Sequence, residues 1–218
     1  LVSRRTATIN QIRAFLIEQG ITVRTGAHAL RSSLFAILEN RKDEISPRMN
    51  DLIIDLSNDW FGLDERIGAI TSEIELIGKS EENCQRLMSV PGIGPIISTA
   101  MVAAIGTGDA FGRGRDFGAW LGLVPRQYST GGKTVLGRIS KRGSKYLRTL
   151  FIQAAHVILM RPKNWQKFSF GPWLTEAATR LHRNKLATAL ANKLARIAWS
   201  VLANQQTFDT NKEEVTAI

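Results

Sequence analysis

A mainly α fold is what this 218-residue sequence predicts. Three observations predict it. Apolar residues recur at steps of three and four in the first segments. One such run continues for about four heptads. A second long run, residues 173–203, is rich in Ala and carries its Leu and Ile on one face.

The elements follow in order. Ile9, Ile12, Phe15 and Leu16 fall at helical spacing, with Gly20 where a C-terminal cap belongs. A turn through Thr25-Gly26 leads to Leu30, Leu34, Ile37 and Leu38, a second helix. Ser46-Pro47 is an N-cap followed by proline at the first helical position. Met49, Leu52, Leu56, Trp60, Leu63, Ile67, Ile70, Ile74 and Ile77 then repeat on average every 3.5 residues, the spacing of a coiled coil. Gly62 and Gly68 weaken that helix locally. The stripe fits a coiled coil that joins two copies or acts as a spacer, and equally a long helix packed inside its own domain. Ile152 to Met160 is apolar and is ended by Arg161-Pro162. Along 173–203, Leu181, Leu186, Leu190, Leu194, Ile197, Ala198 and Val201 form a core face, opposite Lys185, Lys193 and Arg196. The expected division is a helical coiled-coil region over 1–82, a basic C-terminal domain over 83–206 and a loose tail over 207–218.

Composition narrows the function. Apolar residues make up 44% and charged residues 22%, enough for a real core. The single cysteine, Cys84, excludes an internal disulfide and any cysteine-cluster metal site. No run of 18 apolar residues suggests a membrane span, and no apolar segment follows Arg4-Arg5 as a signal peptide requires. A cytoplasmic protein is expected, nucleoid-associated when bound to DNA. The net charge is +10, unevenly spread: residues 1–86 hold 11 Lys/Arg against 13 Asp/Glu, and residues 87–202 hold 17 against 3. A segment this basic points to a polyanion, normally nucleic acid.

Two motifs give that expectation places. Val90-Pro91-Gly92-Ile93-Gly94-Pro95 reads as the turn of a helix-hairpin-helix module. Gly92 and Gly94 would expose backbone N–H groups beside the positive end of the next helix, which suits a DNA phosphate, while Ile93 plugs the core. From Phe111 to Arg148 lie nine Lys/Arg and one acid, Asp116, among Gly131-Gly132, Gly137 and Gly143. This reads as a glycine-rich basic loop held at both ends by apolar stretches, with Arg126, Lys133, Arg138, Lys141, Arg142 and Lys145 as DNA-binding residues. Ser129 and Thr130, beside glycines and cations, are candidate hydroxyl nucleophiles. The acids and the three histidines are too scattered to suggest a metal site, so none is expected in this chain.

The order of motifs adds a resemblance. Val90-Pro91-Gly92-Ile93-Gly94, then Phe117 through Thr134 with Tyr128-Ser129-Thr130-Gly131-Gly132 at its centre, then Gly137-Arg138-Ile139-Ser140-Lys141-Arg142-Gly143, resembles the insertion-sequence one-ten and eleven-eleven transposase family. Arg4-Arg5-Thr6-Ala7 and Asn10-Gln11-Ile12-Arg13 resemble its helical middle region. The resemblance implies DNA transposition and recombination. It implies a RuvC-like N-terminal domain whose acids hold a divalent metal such as magnesium, a coiled-coil region after it, and an element-encoded guide RNA beside the DNA; a homo-oligomer is expected through the coiled coil. That RuvC-like domain is not found here, so this chain alone is expected to be inactive. It also implies a nucleophilic serine just before the glycine of a Tyr-x-Ser-Gly pattern, the place of Thr130, with Ser129 one residue upstream. Either hydroxyl serves, or the copy is an inactive relic. The alternative is a non-enzymatic nucleic-acid-binding module.

Overall fold

The computed structural model describes residues 1–209, and what it describes is mainly helical with one two-stranded sheet. The chain divides into two compact units, Leu1–Glu73 and Ile74–Ile218, within a long helix and ahead of the boundary expected at residue 83.

The first unit holds α1 (Val2–Glu18), α2 (Ala27–Asn40) and the first part of α3 (Pro47–Ser80). Its core is Ile9, Ile12, Leu16, Ile21, Leu30, Leu34, Leu38, Ile45, Ile53 and Trp60. The connection between α1 and α2 is tied by Arg13, whose guanidinium donates to the carbonyls of Val23, Arg24 and Gly26 at 3.1, 2.9 and 2.7 Å. The Ser46 hydroxyl accepts from the Met49 N–H at 3.3 Å, so the expected cap forms. Arg5 and Arg31 both reach Asp64, at 3.2 and 2.9 Å, part-exposed pairs worth no more than about 1 kcal/mol each.

The apolar stripe of α3 differs from its sequence reading in its first half. Trp60 and Leu63 are buried, but Ile53 and Ser57 complete that face, and Leu52 is 41% exposed. The buried positions still step by three and four, but one residue on from Leu52 and Leu56, and Met49 and Leu56 are partly buried against the same core. Further along, Ile70 and Ile77 stand 44% and 46% exposed.

The second unit contains α4 (Glu82–Met88), α5 (Pro95–Ile105), α6 (Gly114–Trp120), a hairpin of β1 (Pro125–Thr130) and β2 (Lys133–Ile139), α7 (Lys145–Leu159), a 3-10 turn (Pro162–Lys167), α8 (Gly171–Arg180) and α9 (Arg183–Ala203). Helices α6 and α7 both pack on α9. The α9 alanines 187, 191, 195 and 198 are buried, and small residues on both sides let helices approach: a Cβ added at Gly118 would meet the Asn192 side chain at 3.3 Å. The expected single helix over 173–203 is therefore two. Leu181 is extended, and the His182 ring accepts the Asn184 N–H at 3.3 Å, capping α9 afresh. No glycine or proline marks this break. Phe208, in the expected tail, donates its N–H to Ser89 at 2.7 Å, and residues 210–218 lie outside the described residues.

Cys84 sits in this core at 1% exposure, and burial pushes its thiol up, a hydrogen bond with Ser98 opposing and Glu81 adding to the shift. The folded chain thus keeps the thiol proton longer than the unfolded one. We expect Cys84 to resist a thiol reagent in the native protein and to react fully in denaturant. Stability should be unaffected by this group below the ordinary thiol range, about pH 8.5, and should fall above it, because only the unfolded chain then ionises. Rapid native labelling would contradict the buried placement.

Candidate nucleic-acid interface

The basic stretch is an ordered hairpin rather than the irregular loop its glycines suggest. Gly131 and Gly132 take φ of +54° and +81°, the signs a two-residue type I′ turn needs, and Thr130 pairs with Lys133 across it. All residues of β1 and β2 are exposed except the half-buried Ile139. With neither face in a core, no apolar alternation marks these strands in the sequence, and only the glycine pair signals them.

Register separates the two candidate hydroxyls. Ser129 pairs with Thr134, Gln127 with Leu136 and Tyr128 with Val135. Paired residues share a face and successive residues alternate. Ser129, Gln127, Thr134 and Leu136 therefore lie on one face, and Thr130, Lys133, Tyr128 and Val135 on the other. The Gln127 amide donates to the Ser129 hydroxyl at 2.8 Å. A bulge opposite Arg126 shifts the register towards the base of the hairpin.

That base is clamped by close backbone approach. Lys141 N–H donates to Gly122 C=O at 3.1 Å and Ser140 N–H to Val124 C=O at 2.8 Å. A Cβ at Gly122 would lie 2.2 Å from the Arg142 carbonyl oxygen, and one at Gly143 would lie 1.7 Å from that of Trp120. Both glycines also have positive φ, +70° and +77°. Arg148 is not a surface cation: it is 8% exposed and donates to the carbonyls of Leu121 and Arg142 at 2.8 and 3.2 Å. Arg126, Arg138, Lys141, Arg142 and Lys145 remain exposed around this base. Lys133 stands at the tip beside Thr130, about 17 Å away along the strands.

Beside the hairpin opens a groove of about 1170 Å³ between β2 and the helices α8 and α9. Leu136, Arg138, Ile139 and Lys141 line one wall. Trp173, Leu181, Lys185, Lys193 and Arg196 line the other, and among the described residues none that lines it is acidic. Lys193 sets its ammonium 4.7 Å from the centroid of the Trp173 ring. Sequence reasoning placed Lys185, Lys193 and Arg196 on the polar side of a helix without assigning them a site. Their shared face was the available signal; what faces them across the groove was not.

Gly92 and Gly94 belong elsewhere. Their turn joins α4 to α5, with Ile93 buried as expected. A Cβ at Gly92 would meet Ile158 at 3.1 Å, while Gly94 faces open space. The turn thus rests near the C-terminal half of α7, and Lys145 begins that helix, a separation of roughly 15–20 Å at 1.5 Å per residue. Among the described residues, no group of three or more His, Cys, Asp or Glu could hold a metal ion, and no helix is long and apolar enough to cross a membrane.

Known proteins resemble this chain closely. The profile of the transposase family described as IS116/IS110/IS902 matches residues 84–169, from α4 through the hairpin to the 3-10 turn. A transposase for insertion sequence element IS1111A of Coxiella burnetii is 40% identical over 209 residues, covering 95% of this chain and 57% of that protein. A transposase for element IS1328 of Yersinia enterocolitica is 41% identical, covering 95% and 61%. A probable family 20 transposase of Pseudomonas aeruginosa is 39% identical, covering 94% and 61%. This chain spans about 57–61% of the length of these relatives.

The clamp predicts a stability effect. Arg148→Met should cost about 2–3 kcal/mol in denaturant unfolding, because two carbonyls lose a charged donor. Gly143→Ala should cost at least as much, through its collision with Trp120. Wild-type unfolding midpoints in both variants would show that the base is not held this way.

Proposed function

We propose that this chain, whose residues 84–169 match the IS116/IS110/IS902 transposase family, carries the DNA-handling surface of an insertion-sequence transposase. One observation carries the reading. In the segment with 17 Lys/Arg against 3 Asp/Glu, six exposed cations stand on or next to an exposed two-stranded ribbon. A β-ribbon has the width that the DNA major groove admits. Arg126, Arg138, Lys141, Arg142 and Lys145 at its base and Lys133 at its tip are placed to meet phosphates on either side. The Gly92–Gly94 turn offers a second, sequence-independent phosphate contact further along the duplex.

On this reading Thr130, at the position of the family's serine, attacks a DNA phosphorus. A new ester bond to the hydroxyl oxygen forms as the bond to the leaving deoxyribose oxygen breaks; the hydroxyl gives up its proton to water and the leaving oxygen takes one up as a free hydroxyl. Ser129 is the neighbouring candidate. Lys133, paired with Thr130 in register, stabilises the charge that develops on the phosphoryl oxygens. The divalent metal implied by the family finds no fitting group of side chains among the described residues. A guide RNA and self-association through α3 are proposed on the same resemblance. The exposed Ile70 and Ile77 are consistent with the second.

Duplex binding should weaken steeply with salt. The triple variant Arg138→Ala, Lys141→Ala, Arg142→Ala should reduce the log–log salt slope by about 3, one unit for each lost phosphate contact. An unchanged slope in fluorescence anisotropy would remove the hairpin from the interface.

Covalent chemistry is tested separately. The chain is mixed with the acid-bearing domain of a relative, guide RNA, magnesium and element-end DNA, and a protein–DNA adduct is sought on denaturing gels. The adduct should vanish in Thr130→Ala and survive in Ser129→Ala. The reverse pattern moves the role to Ser129. Bound DNA without any adduct supports the non-enzymatic binding module instead.

A further inference from the structure

We propose that the groove between β2 and α8–α9 binds an unpaired DNA strand, sharing Arg138 and Lys141 with the duplex surface of the hairpin but adding a wall of its own from α8 and α9. The inference deepens the DNA-handling reading above and rests on it for the choice of DNA. The groove combines two features that a duplex-phosphate patch does not need together. Its rim is cationic on both sides, with Arg138 and Lys141 on the hairpin and Lys185, Lys193 and Arg196 on α9, and among the described residues none that lines it is acidic. That charge suits a polyanion. Between the rims lie Leu136, Ile139, Leu181 and the indole of Trp173, apolar surface that a paired helix, with its bases stacked inside, has no means of covering.

An unpaired strand has both complements, a phosphate backbone for the rims and exposed base faces for the apolar wall. Aromatic side chains beside cationic grooves are the general means of holding single strands. The half-buried Trp173 and the Lys193 ammonium 4.7 Å from its ring centroid present a stacking face and a cation together. The volume, about 1170 Å³, exceeds that of an ordinary small-molecule pocket, so the groove takes several nucleotides rather than one. The groove lies on the hairpin face that carries Ser129, so a strand laid in it continues past that hydroxyl towards the turn.

The test uses the whole chain and three labelled probes: an oligothymidine of roughly ten nucleotides, within the site sizes of single-strand binders, an RNA of the same length and base, and a duplex. Oligothymidine should bind and quench tryptophan fluorescence, and Trp173→Phe should keep binding. Trp173→Ala and the exposed Lys185→Glu should each weaken oligothymidine binding at least about tenfold, with duplex binding changed less than about twofold. Lys185→Glu serves should Trp173→Ala fail to fold. Duplex binding with no oligothymidine binding, or equal losses for both DNA probes, overturns the groove assignment while leaving the DNA-handling reading intact. Tighter binding of the RNA overturns the choice of DNA. Loss of duplex binding in the wild type defeats the broader reading instead.

Discussion

The buried guanidinium of Arg148 is the contact on which the interface depends. It sits at the C-terminal end of α6, where helix carbonyls lack intrahelical partners, and bridges from Leu121 to the carbonyl of Arg142 beyond the hairpin. The negative end of the helix dipole favours a cation there, and two charge-assisted hydrogen bonds offset the cost of removing it from water. Around it, Gly122 and Gly143 bring two backbone segments closer than any side chain would allow. The hairpin is thus joined to the core by backbone and one buried arginine, not by an apolar face. An isolated two-stranded hairpin is marginal in water, so this joint lets β1 and β2 remain exposed along nearly their whole length.

The same joint sorts the cations. Of the nine Lys/Arg between Phe111 and Arg148, Arg148 is used for structure, while those at the hairpin base face solvent. On the other side of the groove, α9 divides its faces similarly. Its alanines and leucines fill the core against α6 and α7, and Lys185, Lys193 and Arg196 stand towards the hairpin. Asn192 lies between these roles, donating to the Leu123 carbonyl at 3.4 Å and so linking α9 to the chain that enters β1. Two cationic walls from distant parts of the sequence are thereby set facing each other.

Much of this was legible in the sequence where one residue type or one period decides the outcome. Helical spacing identified α1, α2 and α3, and the Ser46-Pro47 signal fixed where α3 begins. Ile93 was readable as a plug because an apolar residue between two turn glycines has only the core to enter. Four features were not legible for physical reasons. The break before α9 rests on the backbone of Leu181 and a histidine cap, neither of which is a standard stop signal. The hairpin strands lack alternation because no core selects one of their faces. Arg148 looks like every other cation in its run, and only the fold shows that it points inward. The groove needs two segments to meet, and spacing within one segment carries no record of the other.

Register turns the question of the nucleophile into one of geometry. Ser129 and Thr130 are adjacent in sequence yet lie on opposite faces of β1, so one phosphate path serves only one of them. A strand lying in the groove passes the face of Ser129, whose hydroxyl already accepts from Gln127 and is thereby oriented. A strand lying along the outer face passes Thr130 and its cross-strand partner Lys133, where a hydroxyl and a cation stand together near the turn. Attack needs the hydroxyl and its charge-stabilising partner on the same side of the phosphorus. Thr130 has such a cation in register, and Ser129 has across from it the hydroxyl of Thr134. On the proposed function, the outer face is the one for chemistry and the groove face the one for holding a strand, two tasks set on opposite faces of a ribbon only two strands wide.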